Sequence, residues 1–324
     1  MTHRRSARPV LRAHALVRAL RPALALLVAL GAPGAAWART SVVVLRSDDL
    51  PAYDAPIDAF SRELGRPVQV YDLKGEKSVA QRIVSGLRDD PPPLVLALGA
   101  KAAYSAVHEL PGVPLVYAMV YDPARYGIEG AAVTGVSMQV PPDMVLSQLQ
   151  VFAPKVRRIG IIVSTLNTDP GVAASIEAAR AANYKVVARR VGDAGDVRHA
   201  FGVLRKQVDA IWLLPDARVV TPSNFQFIRA EADRARLPLL AWSEGLVLAG
   251  ALMCVAPDQA EVGAQAAELA LRILGGENPG AIEPEAPNAT RVVLNRDVQE
   301  SLGLRVDPAL LDFVDQVVHA PTER

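Results

Sequence analysis

The sequence predicts an α/β protein made of two doubly wound parallel-sheet lobes, and three observations predict it. Short β-branched runs alternate with segments whose apolar residues recur every three to four positions, which is the pattern of a strand followed by a crossover helix. The alternation falls into two similar series, Ser41 to Val120 and Arg158 to Trp242, with a crossing segment between them. The 324 residues are 51% hydrophobic and 21% charged, enough for two cores of ordinary domain size.

In chain order, the first 38 residues read as a signal peptide. An arginine-rich stretch ends at Arg21, an apolar run covers Pro22 to Leu30, and Pro33 and Gly34 break the helix ahead of an A-x-A site at Ala36 and Ala38. A membrane anchor needs about 20 apolar residues, and this run is shorter and interrupted. Cleavage after Ala38 is expected, leaving Arg39 as the mature N-terminus in an extract made without detergent. Intact mass checks this; a retained leader or a lipid-sized addition contradicts it. Arg4-Arg5 leaves Sec and twin-arginine export both open. A lipoprotein needs a cysteine at the cleavage point, where Arg39 and Thr40 stand instead.

Strands of the first series are expected at Ser41 to Leu45, Pro67 to Tyr71, Leu94 to Leu98 and Pro114 to Val120. Between them, Val79, Ile83 and Leu87 lie four apart and define one apolar helical face. Ala132 to Pro141 reads as the first crossing, with a helix after Pro141-Pro142. The second series has strands at Arg158 to Val163, Tyr184 to Val191, Asp209 to Leu214 and Leu237 to Trp242. Its helical faces are Val172, Ile176, Ala179 and Val197, Phe201, Leu204, Val208. A strand at Gly250 to Val255 precedes a long helix faced by Val262, Ala266, Leu269 and Ile273, which Gly275-Gly276 ends. Glu277 to Ala289 has linker composition, and a last strand and helix follow.

Charge and motifs narrow the function. Taking the leader's six arginines from 35 basic residues leaves 29 against 34 acidic ones, a net charge of −5. A basic stripe for nucleic acid is therefore absent, and anionic lipid is disfavoured likewise. There is no G-x-G-x-x-G, P-loop, H-E-x-x-H, G-x-S-x-G or paired C-x-x-C, so catalytic, cofactor and metal chemistry has no sequence support. Outside the leader, His108, His199 and His319 are far apart. Cys254, the single cysteine, can form no intrachain disulfide; its apolar strand suits a core thiol better than a nucleophile.

In doubly wound sheets, ligands bind beyond the carboxyl ends of the strands. The residues there are Ser47 and Asp48, Gly99 and Lys101, Tyr121 and Asp122, then Thr165 and Asn167, Asp216, Trp242 and Glu244. Asp122-Pro123 fits a helix start, with the aspartate as cap, and the same place faces the cleft. Lys101 opposes the macrodipole at a helix N-terminus, so it is either solvated or paired with an anion. Tyr53 and Trp242 are flat surfaces against which a ligand could stack. Asp122 and Asp216 belong to opposite halves and should meet one solute across a cleft, such as a zwitterionic or amide-bearing molecule. Asp216 is the stronger candidate because capping occupies Asp122.

Beyond these single features, an ordered set of segments resembles the ABC transporter substrate-binding family that includes tryptophan/tyrosine-type binding proteins. It comprises Gly99 with Ala102-Ala103, Val113 to Pro123, Val133-Thr-Gly-Val-Ser137, Arg158-Ile159-Gly160, Val208-Asp209-Ala210, Asp216, Leu237-Pro238, Gly250-Ala251, Asp258 with Gly263, Ile273 to Gly276 and Leu302-Gly303-Leu304. The resemblance implies a type I periplasmic binding-protein fold, a venus flytrap with three crossovers. Lobe 1 would be 39–137 plus 256–277, and lobe 2 would be 138–255 plus 278–324. It brings Ser137 and Asp258 into the candidate site. It also implies a monomeric periplasmic receptor, without cofactor or catalysis, that closes on an amino-acid-like ligand and serves an ABC permease and ATPase in the inner membrane. A sensor feeding a membrane kinase is the alternative, and an enzyme using Asp122, Asp216 or Glu244 ranks below both. Ala100-Lys101, Gln259 and Ala132 depart from the family's usual residues and bear on the ligand.

Overall fold

Strands form where runs of Val, Leu and Ile lie between turn residues, and burial along residues 42–45, 95–98 and 159–164 shows both faces covered at the centre of each sheet. The computed structural model describes residues 41–167 and 169–319; the expected leader and its cleavage site lie outside the described residues. The first sheet contains β1 (Val42–Arg46), β2 (Val68–Asp72), β3 (Val95–Leu98), β4 (Leu115–Val120) and β5 (Val133–Ser137), all parallel, in the order β2-β1-β3-β4-β5. Three crossover helices serve it: α1 (Asp54–Leu64), α2 (Lys77–Asp89) and α3 (Ala100–Glu109). Alternate residues of β1 point to opposite faces. Val42 and Val44 pack with Phe60 of α1, while Val43 and Leu45 pack with Val84 of α2 and Ala103 of α3. The apolar face of α2 is rotated from the expected one, with Ala80, Val84 and Leu87 inward and Val79 and Ile83 only half-buried.

The second sheet contains β6 (Arg158–Ser164), β7 (Lys185–Val191), β8 (Ala210–Trp212), β9 (Leu239–Ala241), β10 (Met253–Pro257), β11 (Thr290–Asn295) and β12 (Gln316–Val318), in the order β12-β11-β10-β9-β8-β6-β7. Its helices are α4 (Pro142–Phe152), α5 (Pro170–Ala181), α6 (Val197–Leu204), α7 (Pro222–Ala235), α8 (Glu244–Leu248) and α10 (Arg296–Ser301). One face carries α4 and α5 through Val145, Leu149 and Val172; the other carries α6, α7 and α8 through Phe201, Phe225 and Val247. This sheet is parallel except at β10 and β11, which pair antiparallel, Met253 opposite Leu294. The edge strand β12 was not expected: three residues are too few to show an alternation.

The chain passes between the sheets three times, at residues 138–141, at Asp258 and at 287–289. The long helix α9 (Gln259–Leu274) follows a strand of the second sheet, yet it packs on the first through Val262, Ala266 and Leu269. Asp258 caps α9 and its backbone amide donates to the Ala289 carbonyl (3.0 Å), so two of the passages lie side by side. Residues 278–286, expected with the second half, run instead along β5. Glu285 bridges Val136, and the Gly280 amide donates to Ala131. An edge strand with unpaired backbone groups explains why that polar segment is held there. Among the described residues, no helix is long and apolar enough to cross a membrane.

Candidate functional site

At the carboxyl end of β4, Met119 has φ 59°, and the register with β5 shifts between Tyr117 and Val120. A left-handed non-glycine residue costs about 1–3 kcal/mol and gathers at functional sites. The bulge re-aims the following residues, so that Val120 is buried while Tyr121 and Asp122 face the opposing sheet. The Tyr121 hydroxyl donates to the Trp242 carbonyl beyond β9 (3.5 Å), a bond from one sheet to the other. Burial pushes this phenol well above its usual range, with Cys254 adding a smaller push. Asp122 accepts from the Arg125 amide (3.1 Å), the capping role expected of it, here on a short 3₁₀ turn.

Facing it, Asp216 is only 3% exposed. It accepts from the Ser164 amide (2.7 Å), the Asn167 side chain (3.0 Å) and the Arg218 amide (3.0 Å). Burial alone would raise this carboxyl, but these donors outweigh burial and hold it below the ordinary range. Asn167 also accepts from the Asp169 amide (2.9 Å). Asp169 caps α5 through Gly171 and accepts from the Gln139 side chain (2.9 Å), so the network reaches the first crossing segment. Burial and the facing charge of Asp122 raise the Asp169 carboxyl, against the Gly171 and Gln139 bonds.

Tyr121, Asp122, Asn167, Asp216 and Trp242 therefore line one cavity of about 290 Å³, together with Asp169 and Arg125. Its charges are three carboxylates and one guanidinium. A carboxylate has about four acceptor positions. Asp216 has three in use, Asp122 one and Asp169 two, so the larger spare capacity lies with Asp122 and Asp169. Glu244 lines a smaller adjoining pocket of about 80 Å³ with Met119, Tyr121 and Arg291, and its carboxylate accepts from Gln316 (2.6 Å).

The other expected residues do not line this cavity. Ser47 accepts from the Ala102 amide (2.9 Å) and so caps α3. Tyr53 is buried beside it, its hydroxyl raised chiefly by burial. Gly99, at φ 85°, leaves room for both: a Cβ there would lie 2.7 Å from the Ser47 Oγ and collide with the Tyr53 hydroxyl. Lys101 donates to the Gly75 carbonyl (3.0 Å) near Asp48, in a separate surface cavity between α2 and α3. Ser137 accepts from the Gln139 amide (3.1 Å), the Thr165 amide donates to the Val191 carbonyl (2.8 Å), and Asp258 caps α9. None of these eight lines the cavity.

Residues that the sequence reading passed over are Met119, Arg125, Gln139 and Asp169. Asp169-Pro170 has the same aspartate-proline form as Asp122-Pro123, and that signal was there to be read. Cys254 is fully buried, and burial, with Glu244 adding, pushes its thiol up to about 12, so at neutral pH it carries its proton. Among the described residues no three His, Cys, Asp or Glu side chains are grouped to hold a metal ion.

The chain is 27% identical over 242 residues to a tyrosine-binding protein of Clostridioides difficile (strain R20291), spanning 72% of this chain and 68% of that protein. In structure it is similar to the ligand-free, open form of a substrate binding protein with adhesive properties from Clostridium difficile, with TM-score 0.74 and 23% identity, covering 87% and 99% of the two chains. It is also similar to an ABC domain from Streptococcus pneumonia in complex with L-Trp, with TM-score 0.64 and 21% identity, covering 86% and 100%. The shared architecture is the type I periplasmic binding-protein fold. A family profile described as ABC transporter substrate binding protein matches residues 67–318, and with that extent of match the chain belongs to the ABC transporter substrate-binding protein family.

Proposed function

We propose that this protein is an exported, monomeric receptor for a free amino acid, that it closes two lobes on the ligand, and that it hands the ligand to an ABC permease and its ATPase without catalysing a reaction. The lobes would be 41–137 with 259–286, and 142–257 with 290–318. The observation that carries the reading is the single cavity walled from both sheets, where Asp122 and Asp169 present spare acceptors across the gap. Two carboxylates that repel when empty are bridged by an ammonium, and that gain exists only when both lobes are engaged. Extracytoplasmic location is typical of the family, and the names of the relatives include tyrosine and L-Trp as ligands.

Binding confined to the native state adds about 2.7 kcal/mol at a hundredfold excess over Kd, a rise in melting temperature of about 4–5 °C for a chain this size. A thermal-shift screen of the common amino acids should find such a ligand, and small-angle scattering should then show a smaller radius of gyration. No shift with any amino acid contradicts the receptor reading. A tight ligand without compaction contradicts closure alone.

A further inference from the structure

A concavity of about 760 Å³ lies at the opposite edge of the second sheet from the carboxylate-lined cavity. Its walls are the segments that lead into β6, β8 and β9, residues 152–156, 208–209 and 236–238, joined by residues 303–305 after α10. Those strands are parallel neighbours, so their amino ends share one edge. Phe152, Val156 and Leu237 are buried and give the concavity an apolar floor. Lys155, Arg236 and Arg305 are exposed on it, and among the described residues none of the three has an ion-pair partner. The one carboxylate in the wall, Asp209, is already engaged. One of its oxygens accepts from the Arg157 and Arg158 amides (3.1 and 2.9 Å), the other from the Arg158 guanidinium (3.1 and 2.6 Å).

Helix dipoles do not account for the three cations. A cation is favoured only within the last turn of a helix. Arg236 caps α7, but Lys155 and Arg305 lie three and four residues past the ends of α4 and α10. The three helix ends together carry about −1.5 charges, half of what the three side chains supply, so the concavity stays positive on a chain that is net −5 without its leader. Like charges facing one space repel, and a bound anion turns that cost into a gain.

We infer that this concavity is a second binding site, for a small soluble molecule carrying two or more phosphate groups. Arg236 and Arg305 supply planar forks that match phosphate oxygens, Lys155 adds a point charge beside them, and the apolar floor suits the uncharged body of such a molecule. The volume is that of small-molecule sites, about 300–1,000 Å³, whereas a membrane presents its headgroups as a flat array. The inference is independent of the receptor reading.

Calorimetry of the full mature chain with inorganic tripolyphosphate, orthophosphate and phosphatidylglycerol vesicles tests this in the parent, in Lys155→Ala/Arg305→Ala and in Arg66→Ala/Arg82→Ala. The last variant removes the same charge from exposed positions of the first lobe, and thermal unfolding verifies that each is folded. The expected result is tripolyphosphate binding at least about tenfold tighter than orthophosphate, weakened at least about tenfold by Lys155→Ala/Arg305→Ala and less than about twofold by Arg66→Ala/Arg82→Ala. Should the first double variant unfold, Lys155→Ala and Arg305→Ala taken singly should each lose about threefold. Equal losses in the two double variants mean attraction to overall charge and overturn the site, as does orthophosphate binding as tightly as tripolyphosphate. Absence of tripolyphosphate binding overturns it too, and vesicle binding in that case assigns the cations to a membrane surface instead.

Discussion

Replacing Asp216 by alanine is expected to lower the unfolding free energy by about 3 kcal/mol and to weaken amino-acid binding by at least about thirtyfold. The stability loss comes from the three donors the carboxylate holds, the Ser164 and Arg218 amides and the Asn167 side chain, which lose their partner in a site only 3% exposed. Water entering from the cavity recovers part of the full desolvation cost, which is why the sum stays near one kcal/mol per donor. The binding loss is partly indirect, because Asn167 also fixes the Asp169 amide. The sign of the pH effect follows from the lowered carboxyl. Its contribution is complete above the unfolded value of about 3.9 and is lost as pH falls through the lower folded value. Acid unfolding of Asp216→Asn should therefore lack that part of the pH dependence. Asp122→Asn, whose side chain has one protein donor, should weaken binding with little change in stability. Calorimetry with urea unfolding of all three variants separates the roles; a fully stable Asp216→Ala contradicts the network.

Gly263→Ala is expected to destabilise the fold by about 2–3 kcal/mol, although helix propensity alone predicts a gain of about 1 kcal/mol in a helix interior. The opposing signs make the experiment decisive. Gly263 lies on α9 where that helix crosses α1, and an added Cβ would overlap the Pro56 carbonyl and stand 2.6 Å from the Pro56 Cα. Backbone cannot step aside as a side chain can, so either the helices separate or α9 lifts from the first sheet. Because α9 joins β10 of the second sheet to the face of the first, its displacement should also change closure. Thermal unfolding checks the stability change, and a melting temperature at or above that of the parent would mean α9 and α1 do not pack this closely.

The division between what was legible and what was not runs along physical lines. Helical faces such as Val197, Phe201, Leu204 and Val262, Ala266, Leu269, Ile273 were readable because burial imposes a period on the sequence, and all seven are buried; Val208, expected on the first face, is buried beyond the end of α6. On α2 the period was read one position out of phase, since Val79 and Ile83 are apolar but small Ala80 is what fits against the sheet. Tyr121, Asp122, Asn167, Asp216 and Trp242 line one cavity because residues just after strands stand at the carboxyl edge. That rule does not say which strand-end residues turn outward: Ser47, Gly99 and Lys101 satisfy it and serve α3 or the Gly75 carbonyl instead.

By itself the sequence determined the alternating α/β plan, the two sheets, the absence of recognisable catalytic motifs and the neighbourhood of the cavity, because strand and helix periods are local and strand ends are ordered along the chain. Only the tertiary structure decided the rest. It showed that β11 enters antiparallel, that residues 278–286 cover the edge of β5 and that Asp169 faces Asp122. It also showed that Lys155, Arg236 and Arg305 gather at one concavity. Each depends on which distant segments meet, and the free energy of such a meeting comes from burial and hydrogen bonding between residues far apart in sequence, which no local pattern records.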